Sequence, residues 1–330
     1  MPSKAKANKV IVTGGAGFIG SYVCENLLAR GFEVVAIDTS SGAKVEHLYD
    51  NRRFHLIQGS ITDLDLMDRQ MRSALMIFHL AAIADPKQYV SNPLSVLQID
   101  LRASLDIFRL ASLYRTKVIF SSTSEIYGVN PSVPWKEDDQ RVLGPTHINR
   151  WCYSTAKAAC EHYLFAHHQQ DKLPFVIYRF FNVYGPKLDD LGHGRVMTMF
   201  LKSLFYGDPV EIHGDGTQTR SFLYVSDAVD AIVRLALLKK AENQIFNIGT
   251  DREVSILALA ELMKKIGGFD SPIRFVPHAK AFGTSYEDIP RRSPDVSKLK
   301  SFIRWSPKVS LEEGIHKTIE YYRNRAGIFS

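Results

Sequence analysis

The 330-residue sequence has few cysteines, no long apolar run and no block of like charge. Its three cysteines, Cys24, Cys152 and Cys160, have neither the spacing of a metal site nor the number that a disulfide framework needs. No apolar stretch reaches the length of a membrane span, and the start MPSKAKANKV lacks the apolar core of a signal peptide. We therefore expect a cytoplasmic protein without a metal or a membrane partner.

The net charge of +6 comes from basic residues that are scattered along the chain. The densest positions are the short segments NRR at 51–53 and PRR at 290–292. A nucleic-acid-binding protein needs a basic face and a recognisable module, and the sequence has neither. A mildly basic surface favours anionic small molecules instead.

In the first half of the chain, short apolar runs alternate with helical stretches. Continuous apolar runs such as KVIVTGG (9–15) and KVIFSST (117–123) are typical of parallel strands that are buried on both faces. Further strands are predicted at 32–38, 54–60, 75–82 and 174–181, and helices at 17–30, 62–72, 93–115 and 150–170. This order predicts an α/β fold with a doubly wound parallel sheet of the Rossmann type.

After Asn182 the sequence changes, because loops rich in Gly, Pro and Asp separate the predicted helices. These helices are expected near 195–206, 227–240, 255–265 and 310–325. We assign residues 1–182 to a cofactor-binding domain and residues 183–330 to a smaller, mixed α/β substrate domain. Since IFNIGT again resembles a buried strand, we expect residues 221–250 to return to the first domain.

The segment TGGAGFIGS (13–21) follows the first predicted strand and opens the first predicted helix. Gly14 permits a tight turn, Gly17 lets a pyrophosphate approach the helix N-terminus, and Gly20 allows close packing of helix on strand. A glycine pattern alone is weak, but strand, turn and helix occur here in the required order. The predicted cofactor contacts of this turn are Gly14, Gly17, Phe18, Ile19 and Gly20.

The second predicted strand ends at Asp38. A carboxylate there accepts hydrogen bonds from the adenosine ribose and repels a 2′-phosphate. Since no arginine follows in DTSSGAK, the sequence predicts NAD rather than NADP. The alternative for Asp38 is an ordinary turn residue. Ser60 and Ile61, after the third strand, are candidate neighbours of the adenine.

Tyr153 and Lys157 in YSTAK are four residues apart and share one face of a helix. An ordinary tyrosine, with a pKa of about 10, is a poor base at neutral pH. A neighbouring ammonium and the cationic nicotinamide ring favour the phenolate, so we expect a lowered Tyr153 pKa. The pair alone occurs in many helices, but behind a dinucleotide turn it predicts an acid–base couple that also contacts the cofactor.

Several segments, in their order along the chain, resemble the extended short-chain dehydrogenase/reductase family (NAD-dependent epimerases and dehydratases) over nearly the whole length. They are TGGAGFIGS, HLAA, SSTSEIYG, YSTAK, RFFNVYGP and GDGTQTRSFLYVSD. The resemblance implies that bound NAD serves as a redox aid that oxidises C4 of a nucleotide sugar. It also implies that Thr123 hydrogen-bonds the sugar O4 and helps Tyr153 to take its proton.

The tip of the fifth predicted strand reads Thr123-Ser124-Glu125, and in similar proteins it faces the sugar. Relatives that only epimerise C4 need no acid or base at C5, whereas dehydratases have Thr-Asp-Glu, with the Asp protonating the departing C6 hydroxyl. This chain retains the glutamate and lacks that aspartate, which resembles the UDP-glucuronate decarboxylases. Oxidation of C4 turns the C6 carboxylate into that of a β-keto acid, so CO₂ can leave without such an acid.

The resemblance therefore implies NAD-dependent decarboxylation of UDP-glucuronate through a C4-keto intermediate, giving UDP-xylose or the UDP-4-keto-pentose. Two alternatives stay open: a C4 epimerase or dehydratase acting on a related nucleotide sugar, and an inactive NAD-binding regulator. Ser124 argues against the dehydratase and Glu125 against the simple epimerase. Intact Thr123, Tyr153 and Lys157 argue against the regulator.

The segment YEDIPRRSPD (286–295) resembles a decarboxylase segment that carries an active-site arginine, which places Arg292 in the site and makes Tyr286 a substrate contact. A guanidinium beside a carboxylate and a developing enolate is electrostatically favourable. We expect burial and the substrate carboxylate to raise the pKa of Glu125, which suits proton exchange at C5. The other substrate contacts implied by the resemblance are Ala84, Tyr89, Thr123, Ser124, Arg150, Asn182, Arg195 and Arg220. The alternative is a turn residue for Asn182 and a solvated charge for Arg220.

The predicted helices at 93–115 and 150–170 carry more apolar side chains than one sheet needs. The side chains concerned are Leu101, Leu105, Phe108, Leu164 and Phe165. In similar proteins these two helices pair with their symmetry mates in a four-helix bundle. We therefore expect a homodimer.

Overall fold

The computed structural model describes residues 8–192, 194–277 and 289–326. In chain order its strands are β1 (Lys9–Thr13), β2 (Glu33–Asp38), β3 (Phe54–Gln58), β4 (Met76–His79), β5 (Lys117–Thr123), β6 (Phe175–Phe180), β7 (Asn182–Tyr184), β8 (Val210–His213), β9 (Thr219–Tyr224), β10 (Gln244–Ile248), β11 (Glu253–Ser255), β12 (Ile273–Val276) and β13 (Arg291–Arg292). Seven of them form one sheet in the order β3-β2-β1-β4-β5-β6-β10, and each neighbouring pair is parallel. The strand order reverses between β1 and β4, where doubly wound sheets bind their ligands. The predicted doubly wound α/β fold is confirmed.

Helices cover both faces of this sheet. They are α1 (Phe18–Ala29), α2 (Leu64–Met71), α3 (Pro86–Ser91), α4 (Pro93–Val96), α5 (Ser104–Tyr114), α6 (Cys152–Asp171), α7 (Val196–Tyr206), α8 (Val225–Leu237), α9 (Ile256–Gly267), α10 (Ser297–Ile303) and α11 (Leu311–Ala326). The helix predicted over 93–115 is interrupted, because a π-helical segment, Leu97–Ala103, joins α4 to α5. The short helices α3 and α10 were not predicted, since they contain too few apolar residues for a periodic pattern.

The core lies on both sides of the parallel sheet, because successive residues of a strand point to opposite faces. In β1, Val10 and Val12 belong to the same cluster as Leu27 of α1, whereas Ile11 belongs to the cluster that contains Phe108 of α5. All five side chains are fully buried. The continuous apolar sequence of the strands therefore reflects burial on both faces.

Two side chains that the dimer prediction counted as surplus are part of this core. Phe108 and Leu164 are both 0% exposed, and Leu101 and Leu105 pack against the same cluster. Phe165 is 42% exposed. The prediction was wrong for Phe108 and Leu164, since helical periodicity does not distinguish a face that packs on the chain's own sheet from one that packs on a partner.

The later part of the chain forms a smaller sheet above the carboxyl ends of the large one. Strand β9 pairs with β7 and β13 in parallel and with β11 in antiparallel orientation. The pairing of β13 with β9 places Arg292 directly opposite Arg220. Strands β8 and β12 form a separate parallel pair. In the described ranges, no helix has the length and hydropathy needed to cross a membrane.

Candidate active site

The turn between β1 and α1 is built for close approach of the backbone. Gly14 has a φ of +68°, in the region that favours glycine, and its N–H donates to Ile37 O at 2.8 Å. A Cβ on Gly20 would lie 2.0 Å from Gly14 O, so α1 can pack on the turn only with glycine there. Gly17 is the N-cap of α1. The helix N-terminus therefore faces outward at the reversal point of the sheet, which suits a pyrophosphate.

Asp38 connects the end of β2 to this turn. Its Oδ2 accepts a hydrogen bond from Ala16 N at 3.0 Å, and its Oδ1 accepts one from Ser40 N at 2.9 Å. The carboxylate thus lies beside the glycine turn, as recognition of a ribose requires. Next to it, after β3, Ser60 Oγ lies 2.8 Å from Thr62 Oγ1 and Ile61 is buried.

Phe18 and Ile19, the first two residues of α1, differ in how far they are buried. Phe18 is buried in the core cluster, and Ile19 packs against that cluster while partly exposed. The carboxylate of Asp38 lies next to the glycine turn and the N-terminus of α1, to which it is joined by the hydrogen bond from Ala16 N. The residues present therefore fit NAD.

Tyr153 and Lys157 lie on one face of α6, and both are buried. Lys157 Nζ is 4.9 Å from the centre of the Phe120 ring and 5.7 Å from the centre of the Tyr153 ring. The ring of Tyr89, predicted as a substrate contact, stacks on Tyr153 with centres 4.5 Å apart. Tyr89 therefore lies at the same site as the acid–base couple.

The pKa of Tyr153 is raised in this structure, first by burial and then by the charges of Asp100 and Glu125. The lowered pKa that the sequence predicted is therefore not produced by the protein groups alone. The main cause is burial of the phenol, to which the charges of the two carboxylates add, whereas sequence spacing showed only the lysine.

Glu125 lies between two arginines at the tip of β5. Its Oε2 is 3.3 Å from Arg150 Nη2, and its Oε1 accepts a hydrogen bond from Arg292 Nη1. Burial acts to raise the pKa of Glu125, but Arg292, Arg150 and the nearby Arg220 outweigh it, so the pKa is lowered. The raised pKa that the sequence predicted was wrong for this state, because Arg150 and Arg292 both reach the carboxylate from distant parts of the chain.

Thr123 and Ser124 are buried beside this glutamate. Thr123 ends β5, and its Oγ1 accepts a hydrogen bond from Glu125 N at 3.1 Å, which caps the short turn Ser124–Tyr127. The turn directs Glu125 away from the sheet toward Arg150 and Arg292. The predicted residues of this octapeptide are therefore brought together with both arginines.

The segment that carries Arg292 is fixed by a buried polar network. Trp135 N donates to Ser293 O at 3.0 Å, and Asp295 N donates to Trp135 O at 2.7 Å. Asn247, at the end of the large sheet, donates from Nδ2 to Trp135 O at 2.8 Å and accepts from Tyr127 Oη at 2.7 Å. Tyr127 belongs to the turn that follows Glu125, so the network holds the glutamate and the arginine segment in one arrangement.

The remaining predicted substrate contacts differ in their surroundings. Asn182 Nδ2 donates to Ser221 O at 3.0 Å, next to Arg220. Arg195 Nη1 lies 2.6 Å from Asp189 Oδ2, and its charge reaches the Tyr153 phenol. Ala84 is exposed in the loop before α3. Tyr286 lies outside the described residues.

One residue of the site was not predicted. Asp100 Oδ1 lies 3.4 Å from Lys157 Nζ. Val96, Asp100, Ala103 and Ile107 follow helical spacing, and all four are buried. A single acid on an otherwise apolar helix face was the signal in the sequence that could have identified it.

Both the sequence and the fold are similar to those of known proteins. The sequence model of the NAD dependent epimerase/dehydratase family matches residues 10–249. The UDP-N-acetyl-alpha-D-glucosaminuronate decarboxylase of Bacillus cytotoxicus is 36% identical over 316 residues, which cover 96% of this chain and 98% of that protein. The UDP-glucuronic acid decarboxylase 1 of Arabidopsis thaliana is 35% identical over 325 residues, which cover 97% of this chain and 71% of that protein.

Two solved structures have the same fold over almost the whole chain. The UDP-glucose 4-epimerase of Thermotoga maritima, solved with UDP-glucose, has a TM-score of 0.86 at 35% identity and covers 96% of this chain and 99% of its own. The UDP-glucuronic acid 4-epimerase of Bacillus cereus, solved with UDP-glucuronic acid and NAD, has a TM-score of 0.86 at 27% identity with the same coverage. Similar proteins thus include decarboxylases and epimerases of UDP-sugars.

Proposed function

Since the chain belongs to the NAD dependent epimerase/dehydratase family, with NAD as its cofactor, we propose that it decarboxylates UDP-glucuronate. The product is UDP-xylose, or the UDP-4-keto-pentose if the C4 ketone leaves before it is reduced. Two curated relatives of 36% and 35% identity are named as decarboxylases of UDP-linked uronic acids. Their names support the reaction class.

The observation that carries the proposal is the environment of Glu125. Arg150 and Arg292 both contact its carboxylate, and the charge of Arg220 also reaches it. Arg150 and Arg292 thus present guanidinium groups on two sides of Glu125. A substrate that brings its own carboxylate matches these cations, whereas a neutral hexose has no group of opposite charge to offer them.

The chemistry begins at O4 of the sugar. We assign Tyr153 as the base that takes the O4 proton, with Thr123 as its hydrogen-bonding neighbour and Lys157 as the cation that favours the phenolate. Bound NAD supplies the acceptor for the hydride from C4. The resulting C4 ketone makes the sugar a β-keto acid, so the bond between C5 and C6 can break with its electron pair moving toward O4.

Glu125 and Arg292 then serve the C5 and C6 end of the sugar. Arg292 pairs with the substrate carboxylate before CO₂ leaves, and Glu125 delivers a proton to C5 of the enolate. As long as both arginines hold Glu125, its pKa stays low and it cannot deliver a proton. A substrate carboxylate that takes over Arg292 raises that pKa again, which prepares the glutamate for its role.

The other predicted contacts are assigned to the rest of the substrate. Arg220 and Asn182, which neighbour each other through Ser221, suit the diphosphate, because a guanidinium binds phosphate oxygens in bidentate fashion. Arg195 suits the same group if it leaves Asp189. Tyr89, stacked on Tyr153, has to move or rotate to admit a sugar to the phenol.

The products of UDP-glucuronate distinguish this proposal from its main alternative. Purified protein is incubated with UDP-glucuronate and NAD, and the products are followed by ¹H NMR. The substrate is expected to lose its C6 carboxylate and yield a UDP-pentose or its 4-keto form. Formation of UDP-galacturonate without loss of CO₂ would identify a C4 epimerase instead, an alternative that the similarity to the Bacillus cereus epimerase supports. UDP-glucose serves as the control substrate, because it has no carboxylate to lose.

A further inference from the structure

A buried aspartate that the proposed mechanism does not use lies beside Lys157. Asp100 Oδ1 is 3.4 Å from Lys157 Nζ, and the two side chains are 0% and 1% exposed. Asp100 Oδ2 accepts a hydrogen bond from Ile83 N at 3.2 Å. Since little water separates or screens the two charges, their attraction is much stronger than that of a surface pair.

The backbone around Asp100 holds it against α6. Asp100 lies in the π-helical segment Leu97–Ala103, and such segments are frequent at functional sites. Its carbonyl oxygen accepts hydrogen bonds from Ser104 Oγ at 2.9 Å and from Cys160 Sγ at 3.2 Å. Because Cys160 follows Lys157 on α6 by one turn, these bonds fix the distance between the carboxylate and the ammonium.

Lys157 has little other compensation for its charge. Its ammonium lies between the rings of Phe120 and Tyr153, and Nζ has no hydrogen-bond partner among the residues that the structure describes. A buried ammonium without a counter-ion is strongly disfavoured as a cation. Asp100 is the carboxylate that lies within ion-pair distance of Lys157 Nζ among the described residues.

Other titratable groups surround the pair on the neighbouring elements. They are His79 at the end of β4, Tyr89 in α3, Glu125 after β5, Arg195 before α7, and Cys152, Tyr153 and Cys160 on α6. Burial lowers the pKa of His79 to about 3 and raises the pKa of Tyr89, Cys152 and Cys160. These four groups are uncharged near neutral pH, so Glu125 and Arg195 are the charges besides Asp100 that act on the Tyr153 phenol in the part of the chain that the structure describes.

We propose that Asp100 is a positioning residue that holds the Lys157 side chain beside Tyr153 and sets the pH range in which Tyr153 works. A negative charge at this place disfavours the Tyr153 phenolate. Its removal makes the local potential more positive, so Tyr153 loses its proton at lower pH. This inference rests on the acid–base couple of the proposed function but not on the identity of the sugar.

The test is the pH dependence of turnover of the full-length protein with NAD and UDP-glucuronate. In Asp100→Asn, the acid limb of the profile, which reports the ionisation of Tyr153, is expected to move to lower pH by about one unit or more, as a unit charge a few ångströms away implies. Asp100→Glu retains the charge and should leave this limb at its wild-type position, even if the rate falls. Asp106→Asn, on a partly exposed position of α5, is the matched control and should have the wild-type profile.

A lower rate with the acid limb at unchanged pH would make Asp100 a structural residue and overturn the inference, as would a shift of that limb to higher pH. If Asp100→Asn is inactive, the ¹³Cζ resonance of labelled Tyr153, assigned through its loss in Tyr153→Phe, reports the same ionisation. That signal must also titrate at lower pH than in the wild type. If the wild type itself releases no CO₂, the proposed function fails, whereas the Tyr153 titration still decides the role of Asp100.

Discussion

At the scale of single residues, Asp38 has a structural task in addition to its proposed task at the ribose. Its two carboxylate oxygens bind Ala16 N in the glycine turn and Ser40 N beyond β2. Loss of the carboxylate therefore loosens the cofactor turn and also removes the charge that repels a 2′-phosphate. The first effect weakens the binding of NAD, and the second narrows the preference for NAD over NADP.

We expect Asp38→Ala to weaken NAD binding by about tenfold or more, since hydrogen bonds to a charged group are lost. The preference for NAD over NADP should narrow without loss of catalysis at saturating cofactor. Titration of the apoprotein with each cofactor by calorimetry measures both quantities. Asp38→Asn, which retains one acceptor oxygen, should bind NAD with an affinity between those of the wild type and Asp38→Ala. Equal affinity of the wild type for NAD and NADP would contradict the assignment of Asp38.

The residues of the site could be predicted to different degrees. The spacing of Tyr153 and Lys157 predicts a shared helix face, the dinucleotide turn before them indicates their chemistry, and the role of Glu125 follows from the family resemblance. The direction of the Glu125 pKa could not be predicted, because it depends on Arg292, which is 167 residues away in sequence. Asp100 was missed for the same reason, since only the packing of two helices brings it to Lys157.

At the scale of elements, α5 and α6 carry exposed apolar side chains that the sheet does not cover. Leu113 on α5 is 63% exposed, and Tyr163 and Phe165 on α6 are 47% and 42% exposed. These side chains, rather than Phe108 and Leu164, are the ones available to a partner. We propose that they form the homodimer interface with the same helices of a second copy.

The wild type is expected to be a dimer at micromolar concentration in light scattering. Leu113→Arg combined with Phe165→Arg places four like charges across a twofold interface and should give a monomer with unchanged circular dichroism. Arg substitution of the exposed Tyr206 on α7 is the control and should leave the dimer intact. A monomeric wild type would refute the proposed interface.

Apolar periodicity predicted the long helices and the parallel strands to within a few residues. It could not predict that the π-helical segment Leu97–Ala103 interrupts the helix predicted over 93–115. This segment contains Asp100, which contacts Lys157 of α6, and such a tertiary contact has no signal in apolar periodicity. Likewise, the two-residue strand β13 has no pattern of its own. It exists through its pairing with β9.

At the scale of the whole molecule, the site lies where two parts of the chain meet. The large sheet supplies the glycine turn, Asp38, Thr123 and the neighbouring α6 couple, and the smaller sheet supplies Arg220 and Arg292. The strand order could be predicted from the βαβ sequence, since doubly wound sheets have few topologies. The approach of Arg292 to Glu125 could be proposed only from a resemblance, because it depends on the buried network through Trp135 and Asn247.

Glu125 and its arginines are proposed to serve the loss of CO₂ from a UDP-linked uronic acid. The most direct measurement is the rate of ¹³CO₂ release from UDP-glucuronate labelled at C6, with saturating NAD, for the wild type and for Glu125→Gln. Glu253→Gln is the matched control, because Glu253 pairs with Arg291, next to Arg292 in sequence. Binding of UDP-xylose, measured by calorimetry, confirms that each variant retains its site.

We expect the wild type and Glu253→Gln to release ¹³CO₂ at similar rates. Glu125→Gln should release it at least about 10² times more slowly, with UDP-xylose still bound, as expected for the loss of a general acid–base. Release of ¹³CO₂ by Glu125→Gln at the wild-type rate would show that Glu125 does not serve decarboxylation, and a wild type that binds UDP-glucuronate and NAD but releases none would refute the proposed function.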